Sequence, residues 1–299
     1  LLDEMESSGS PLELIEALGA PVPARFTCRF LGVPYDDADF FQESLGIRFS
    51  PESATGSVYD AEDGLRGYFA DLVDSRMDHP KDDLISRLVN DHVRTGALSR
   101  QDAATVLHTV LIGGFDTTKQ MITLGTLTLL EHPDELEKLR VDPSGWRNAV
   151  EELLRYITMV QSERRACTAD TEIGGELIRA GEGVLVMLNS ANRDSSVFET
   201  PDSFDVDRDS MRHLAFGSGV HQCIGQAVAR MLLQLTYPRL FTKFPDIRIA
   251  VPFETLRFME NRSLFGVEEL PVESGGTSGY LVIVSPRRED WCAGFKRVW

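Results

Sequence analysis

This sequence predicts a mainly α-helical fold with minor β structure. Three observations carry that expectation. Apolar residues recur at helical spacing through the first half of the 299-residue chain. One apolar run, opened by a capping pattern at Ser99 and closed by Pro133, is long enough for a helix of roughly 45–50 Å at 1.5 Å per residue. Strand-like alternation with turn glycines is confined to 172–188 and to the vicinity of 246–251. No repeat and no break in composition divides the chain, and 42% hydrophobic residues suffice for a sizeable core.

In chain order, PLELIEAL (11–18) reads as a short amphipathic helix. The turn GVPYDD (32–37) leads into a helix at ADFFQESL. A longer helix is expected from about Ser57 to Met77, and DDLISRLV (82–89) adds another. The central helix begins where Ser99 and Asp102 have the S-x-x-D spacing of a capping box. Its apolar positions include Val106, Leu107, Val110, Leu111, Met121, Ile122 and Leu129. A helix so long and so apolar belongs in the middle of a domain. Shorter helices are expected around 134–140 and 145–156. EIGGELIRAGEGVLVML (172–188) reads as a hairpin leading into a strand, and NRDSSVFETPDSFDVDR (192–208) as a long ordered polar loop. A last long helix runs to about Lys243, and DIRIAV (246–251) supplies short strands.

The net charge of −17 argues against a nucleic-acid partner. Asp116 and Lys119 interrupt the longest apolar stretch, Ala103 to Leu130, so no membrane span is expected. The opening LLDEMESSGS lacks the basic-then-apolar pattern of a signal peptide. Cys28, Cys167, Cys223 and Cys292 lie far apart and form no C-x-x-C pair, which fits reduced thiols in a cytoplasmic chain. Cys28 and Cys167 read as buried apolar residues.

Three motifs carry chemistry. LIGGFDTT places Gly113 and Gly114 inside the central helix, at about 1 kcal/mol each relative to alanine. Close packing explains such a pair; so does a gap through which a flat ligand or small molecule approaches the backbone. Asp116 and Thr117 follow, a carboxylate and a hydroxyl suited to relaying protons or holding a water. In EELLRY, Glu152 and Arg155 stand three apart on one helix and can pair, with Arg208 as a further partner if the pair is buried. The third motif is FGSGVHQCIG (216–225). Gly217 and Gly219 permit unusual backbone angles, and Gly225 lets a bulky partner approach. Cys223 precedes a helix, where exposed N–H groups favour a thiolate. His221 and Cys223 could suggest zinc, but no second pair completes four ligands. A nucleophilic cysteine would need His213 or His221 as its base. A single thiolate in a glycine-rich loop fits haem iron better, since the porphyrin supplies the other four ligands.

HLAFGSGVHQCIGQAVAR resembles the haem-binding signature of the cytochrome P450 monooxygenases. GGFDTT is similar to their oxygen-activating helix, ELLR to their Glu-x-x-Arg motif and FDVDR to the segment that supplies its third partner. LLEHPDEL, EELLRY, IRAGEGV and ANRD resemble soluble, actinomycete-type members, and the likeness runs from residue 1 to about Val272. The resemblance implies haem b with Cys223 as axial thiolate and Phe216 beside the sulfur. It places Arg165, His213 and His221 on the haem propionates. Gly114, Asp116 and Thr117 would lie over the distal face, Thr117 bonding oxygen and Asp116 serving proton delivery. Glu152, Arg155 and Arg208 would form a structural network. The reaction implied inserts one oxygen atom of O2 into a small hydrophobic organic substrate. Electrons would come from a ferredoxin reduced by an NAD(P)H-dependent reductase.

Two departures accompany the likeness. The family's N-terminal helices and part of its small sheet have no counterpart before residue 1, so a partial P450 fold is expected over 1–272. A truncated, catalytically inactive haem-binding remnant is the alternative reading, and a helical scaffold with a redox or zinc cysteine is a third. Residues 273–299 form an atypical tail, with GYLVIV a candidate strand and Cys292 incidental.

Overall fold

The computed structural model describes residues 1–50, 52–259 and 264–275. The elements begin with α1 (Leu2–Ser8), β1 (Leu12–Glu13), a π-helical turn (Ile15–Gly19), α2 (Pro21–Leu31), α3 (Ala38–Phe49) and α4 (Thr55–Asp78). Next come α5 (Leu84–Leu88), a second π-helical turn (Val89–Val93), α6 (Arg100–Glu131), α7 (Pro133–Val141) and α8 (Trp146–Ile157). Then follow β2 (Ser162–Ala166), β3 (Thr171–Ile173), β4 (Glu176–Ile178), β5 (Gly183–Met187) and α9 (Leu188–Ala191). The chain continues with α10 (Gln226–Lys243), β6 (Arg248–Ile249) and β7 (Pro271–Glu273). Mainly α with minor β is thus the observed class. The expected strand GYLVIV and Cys292 lie outside the described residues.

Two compact units divide the described chain. The first comprises Leu1–Thr123, Ala227–Arg257 and Glu268–Gly275. Its core joins α2, α3, α4, α5 and the first part of α6 through Ala24, Leu31, Phe41, Phe69, Ile85, Leu107 and Phe115, all under 5% exposed. The Phe41 ring meets those of Tyr68, Phe69 and Phe115 at 5.2–6.2 Å. The capping box expected for α6 is present: Asp102 N–H donates to Ser99 Oγ at 3.0 Å, and Ser99 N–H to Asp102 Oδ2 at 3.3 Å. Threonines tolerate this helix because their hydroxyls return to the carbonyl four residues back, as Thr123 does to Lys119 at 2.9 Å.

Residues 11–18 are not the expected helix. Leu12 and Glu13 pair with Val272 and Pro271 of β7, which also pairs with β6, and the π-helical turn follows. Glu13 is committed twice, accepting from Glu16 N–H at 2.8 Å and from Leu270 N–H at 2.5 Å. Those bonds favour a strand and a turn over helix at this point. The next segment, α2, has Pro21 in its first turn and Gly32 after its end in the left-handed region (φ 86°).

The second unit comprises Leu124–Gln226 and Phe258–Val267 within the described residues. Its centre is α8, of which every residue from Ala149 to Ile157 is buried. Tyr156, Phe204 and His132 form an aromatic cluster at 5.1–5.9 Å. The hairpin expected in 172–188 is β3–β4, turned at Gly174 and Gly175, both with positive φ. β5 pairs antiparallel with β2, a strand the sequence reading had not identified. These ribbons carry exposed apolar side chains, among them Ile173 (61%) and Leu177 (55%).

Candidate functional site

The first unit holds the Gly-Gly-Phe-Asp-Thr-Thr turn of α6. The Thr117 hydroxyl donates to Gly113 carbonyl oxygen at 2.6 Å, leaving its lone pairs for another donor. Asp116 pairs with Lys119, one turn on, both side chains partly buried. The two glycines differ. A β-carbon on Gly113 would meet nothing within 4 Å, whereas one on Gly114 would stand 3.1 Å from Thr27 Oγ1 of α2. The open position is therefore Gly113, while Gly114 packs closely against α2.

In the second unit, Glu152, Arg155 and Arg208 come together. Arg155, wholly buried, donates to both oxygens of Glu152 at 2.7 and 2.8 Å. Its remaining donors reach the carbonyls of Asn192 and Pro201 at 2.8 Å and of Ser203 at 3.2 Å. Arg208 Nε adds a bond to Glu152 Oε1 at 3.2 Å. A buried ion pair survives only when such extra bonds satisfy it. Ser210, Asn148 and Asn192 were not read from sequence. Ser210 Oγ donates to Glu152 at 2.5 Å, and Asn148 Nδ2 donates to the carbonyls of Val206 (2.6 Å) and Arg208 (2.8 Å). Asn192 accepts from Leu214 N–H at 2.6 Å. Only Asn192 had a signal, as part of ANRD.

The cysteine loop runs from Phe216 to Gly225. Cys223 N–H donates to Phe216 carbonyl oxygen at 2.9 Å, and Gly217 N–H to Leu214 oxygen at 2.8 Å. Gly217 (φ 67°) and Gly219 (φ 82°) hold left-handed backbone that a side chain would strain. Cys223 is exposed and lies three residues before α10, whose first N–H, that of Gln226, faces its carbonyl at 3.4 Å. The half-buried Phe216 ring stands 5.9 Å from that of His213. The other described cysteines differ in kind. Cys28 is buried, and burial, with Asp37 nearby, pushes its thiol up to about 11. Cys167 is only partly buried, contrary to expectation, because its sulfur lies over the Ala169 carbonyl at 2.9 Å at a ribbon end.

Of the three groups expected on propionates, two are accessible. Arg165 is half exposed on β2, with Glu163 at 3.3 Å, and His221 is exposed on the loop. His213 is not accessible. Its ring is buried, Nε2 lies 3.0 Å from Glu151 Oε2, and Nδ1 accepts from Ala215 N–H at 3.1 Å. Both nitrogens are engaged by the protein, so a propionate role for His213 is corrected.

The residues present fit a large, flat, apolar group held by sulfur. Val220 and Ile224 flank Cys223 at 96% and 91% exposed, apolar side chains that such a group would cover. A β-carbon on Gly225 would stand 3.8 Å from Cys223 Sγ, so the missing side chain leaves the sulfur clear. Among the described residues no group of three or more His, Cys, Asp or Glu side chains could hold a metal ion.

Comparison with known proteins gives the family. Residues 146–259 match the family described as Cytochrome P450. The chain is 43% identical over 273 residues to Cytochrome P450-SU2 of Streptomyces griseolus, covering 91% of this chain and 67% of that one. It is similar in structure to CYP105P1 in complex with filipin I (TM-score 0.88, 39% identity, 92% of this chain and 69% of that one). A second structural likeness is to the mycinamicin VIII C21 methyl hydroxylase MycCI of Micromonospora griseorubida (TM-score 0.87, 36% identity, 91% and 70%). This chain belongs to the cytochrome P450 family and to its bacterial monooxygenases. It spans about two thirds of the length of the curated relatives it matches. No helix among the described residues is long and apolar enough to cross a membrane.

Proposed function

We propose that this chain inserts one oxygen atom of O2 into a C–H or C=C bond of a small hydrophobic organic substrate, reducing the other atom to water. Two electrons and two protons complete the balance, the electrons coming singly from a ferredoxin and its NAD(P)H-dependent reductase. Haem b is the group these residues would hold, with Cys223 as its sulfur ligand; it would supply the oxygen-activating chemistry, favoured by electron donation from the thiolate. The observation that carries this reading is the exposed Cys223 thiol on a loop whose apolar neighbours are bare.

Cys223 gives the sulfur ligand, and the loop glycines keep side chains off the approach. Phe216 packs beside the sulfur, and Arg165 and His221 hold the propionates by charge and hydrogen bonding. Thr117 Oγ1, its own proton committed to Gly113 O, has lone pairs left to accept a hydrogen bond and would hold a water or the oxygen substrate in place. Asp116 would serve proton delivery. Glu152, Arg155 and Arg208 hold the segment before the cysteine loop. Hydroxylases acting on natural products among the relatives support a hydrophobic substrate. Residues 1–272 are proposed as the catalytic part, and the cytoplasm as the working compartment.

The test is the carbon monoxide difference spectrum of the dithionite-reduced chain, expressed with haem supplied. A strongly red-shifted Soret band that disappears in Cys223→Ala supports the reading. A band unaffected by Cys223→Ala sinks it. Absence of bound haem would leave an inactive remnant as the description of these 299 residues.

A further inference from the structure

Glu151 and Glu152 are consecutive on α8 and both buried, 3% and 0% exposed. Two adjacent carboxylates out of water need separate partners. Glu152 has Arg155, Arg208, Ser210 and the Asp205 N–H. Glu151 meets His213, 62 residues on, at 3.0 Å.

The second ring nitrogen decides the chemistry of that contact. Ala215 N–H donates to His213 Nδ1, so Nδ1 carries no proton. The proton sits on Nε2 and is donated to Glu151. The backbone thereby fixes one neutral tautomer, and the carboxylate fixes the ring plane.

From this ring the bonds run to the cysteine loop. His213 N–H donates to Ser210 oxygen at 3.0 Å, and Leu214 N–H to Asn192 Oδ1 at 2.6 Å. Ala215 is held by the ring, and Phe216, the next residue, supplies the carbonyl that accepts Cys223 N–H at 2.9 Å. The loop's glycines and exposed apolar side chains add little to this order. Open space surrounds the Cβ positions of Gly217 and Gly219, and Val220 and Ile224 are bare. The root therefore contributes to the loop's order.

We propose that Glu151 and His213 are a positioning pair that holds the root of the Cys223 loop and so fixes the place of the sulfur. The proposal rests on Cys223 as the axial ligand. Neither residue touches the reacting atoms; they act through Ala215 and Phe216, as supporting shells do at ligand sites.

The test is hydrogen exchange on the haem-free chain, read residue by residue, beside the reduced carbon monoxide spectrum of the haem-loaded chain. His213→Phe removes both ring bonds. The amides of Ala215 and Cys223 should exchange about tenfold faster or more, while those of α8 hold within about twofold. The red-shifted Soret band should weaken in favour of the unshifted one. Glu151→Gln keeps an acceptor for Nε2–H and should restore both readouts to near the parent. His213→Asn keeps an acceptor for Ala215 N–H but removes the Nε2–H donor to Glu151; it should show an intermediate loss, and it carries the test if the phenylalanine variant does not fold. Unchanged exchange at Ala215 and Cys223 overturns the proposal. So does equal loss of protection along α8, which would mean a general structural role. If the parent chain shows no red-shifted band, the ligand assignment has failed, while the exchange arm still judges the pair.

Discussion

Alanine at Gly113 and alanine at Gly114 should have opposite effects, although the two positions are adjacent in one helix. In a helix interior alanine is favoured over glycine by about 1 kcal/mol, largely through the entropy of the unfolded chain. At Gly113 the new methyl meets nothing within 4 Å, so that gain should appear almost whole. At Gly114 the methyl stands 3.1 Å from Thr27 Oγ1 and 3.8 Å from its Cγ2. Thr27 is 4% exposed and β-branched on a helix, so it yields only by moving α2 a few tenths of an ångström. Overpacking of this kind costs about 1–3 kcal/mol. The net expectation is a gain of about 0.5–1 kcal/mol for Gly113→Ala and a loss of about 0–2 kcal/mol for Gly114→Ala. Thr27→Ala removes both atoms and should recover Gly114→Ala, with a coupling of about 1 kcal/mol in a double-mutant cycle. Equilibrium urea unfolding followed by circular dichroism measures all four species. Equal stabilisation by both alanines, or coupling below about 0.3 kcal/mol, would refute the packing role of Gly114. Gly113→Ala should also lower product yield per oxygen consumed, because its methyl enters the open face beside the Thr117 hydroxyl.

Arg155→Leu leaves Glu152 short of its main partner and takes the Arg155 donor from the carbonyls of Asn192 and Pro201, while Ser203 keeps Arg208; it should cost about 3–5 kcal/mol in unfolding experiments. Thr117→Ala should leave substrate binding intact while raising peroxide formed per electron pair; unaltered coupling would contradict the proton role. Acid should act in two steps. Burial, then Arg66 and Arg48, hold His108 below its ordinary value even with Glu62 at 3.3 Å. The unfolded chain therefore takes up that proton first, and stability falls as pH drops below about 6.5. His108→Gln should remove this step from a pH series of thermal melts. Burial pushes the Asp83 carboxyl up, but bonds from Ser86 and Arg76 outweigh it and hold it below the usual range. Its contribution is present above about pH 3.9 and is lost as pH falls through the folded value, and Asp83→Asn should abolish that later step.

Local signals were legible where local bonds decide the outcome. Ser99, Asp102 and Pro133 mark the ends of α6, and the structure places a capping box and a helix end there. The hairpin at Gly174 and Gly175 is legible for the same reason. Residues 11–18 misled because their helical periodicity is outweighed by pairing with residues 271 and 272, far along the chain, and no short-range pattern records that. α2 carries a local signal only at its ends, Pro21 and Gly32. β2 has the sequence SERRA, with no apolar alternation to reveal it. In the site, the Glu152–Arg155–Arg208 group was legible as a pattern of spaced charges. His213 was not, because its buried carboxylate partner is 62 residues away on α8.

That partner bears on how the proposed ligand could stand on an exposed loop. A sulfur proposed as a ligand must be open on one side, and Val220 and Ile224 beside it are exposed. Order has to be imported from a buried element. The two successive carboxylates of α8 do this in different ways. Glu152 takes two guanidinium groups and so fixes the polar loop through residue 210, a charge-rich connection that fails when either charge goes. Glu151 accepts one N–H from the His213 ring, a single hydrogen bond that sets the ring's orientation. The first tolerates no loss of a partner. The second should tolerate Glu151→Gln, since a carboxamide oxygen accepts the same proton. If Glu151→Gln proved as damaging as Arg155→Leu, the pair would be ionic, His213 would carry both protons, and the Ala215 bond would have to be reassigned.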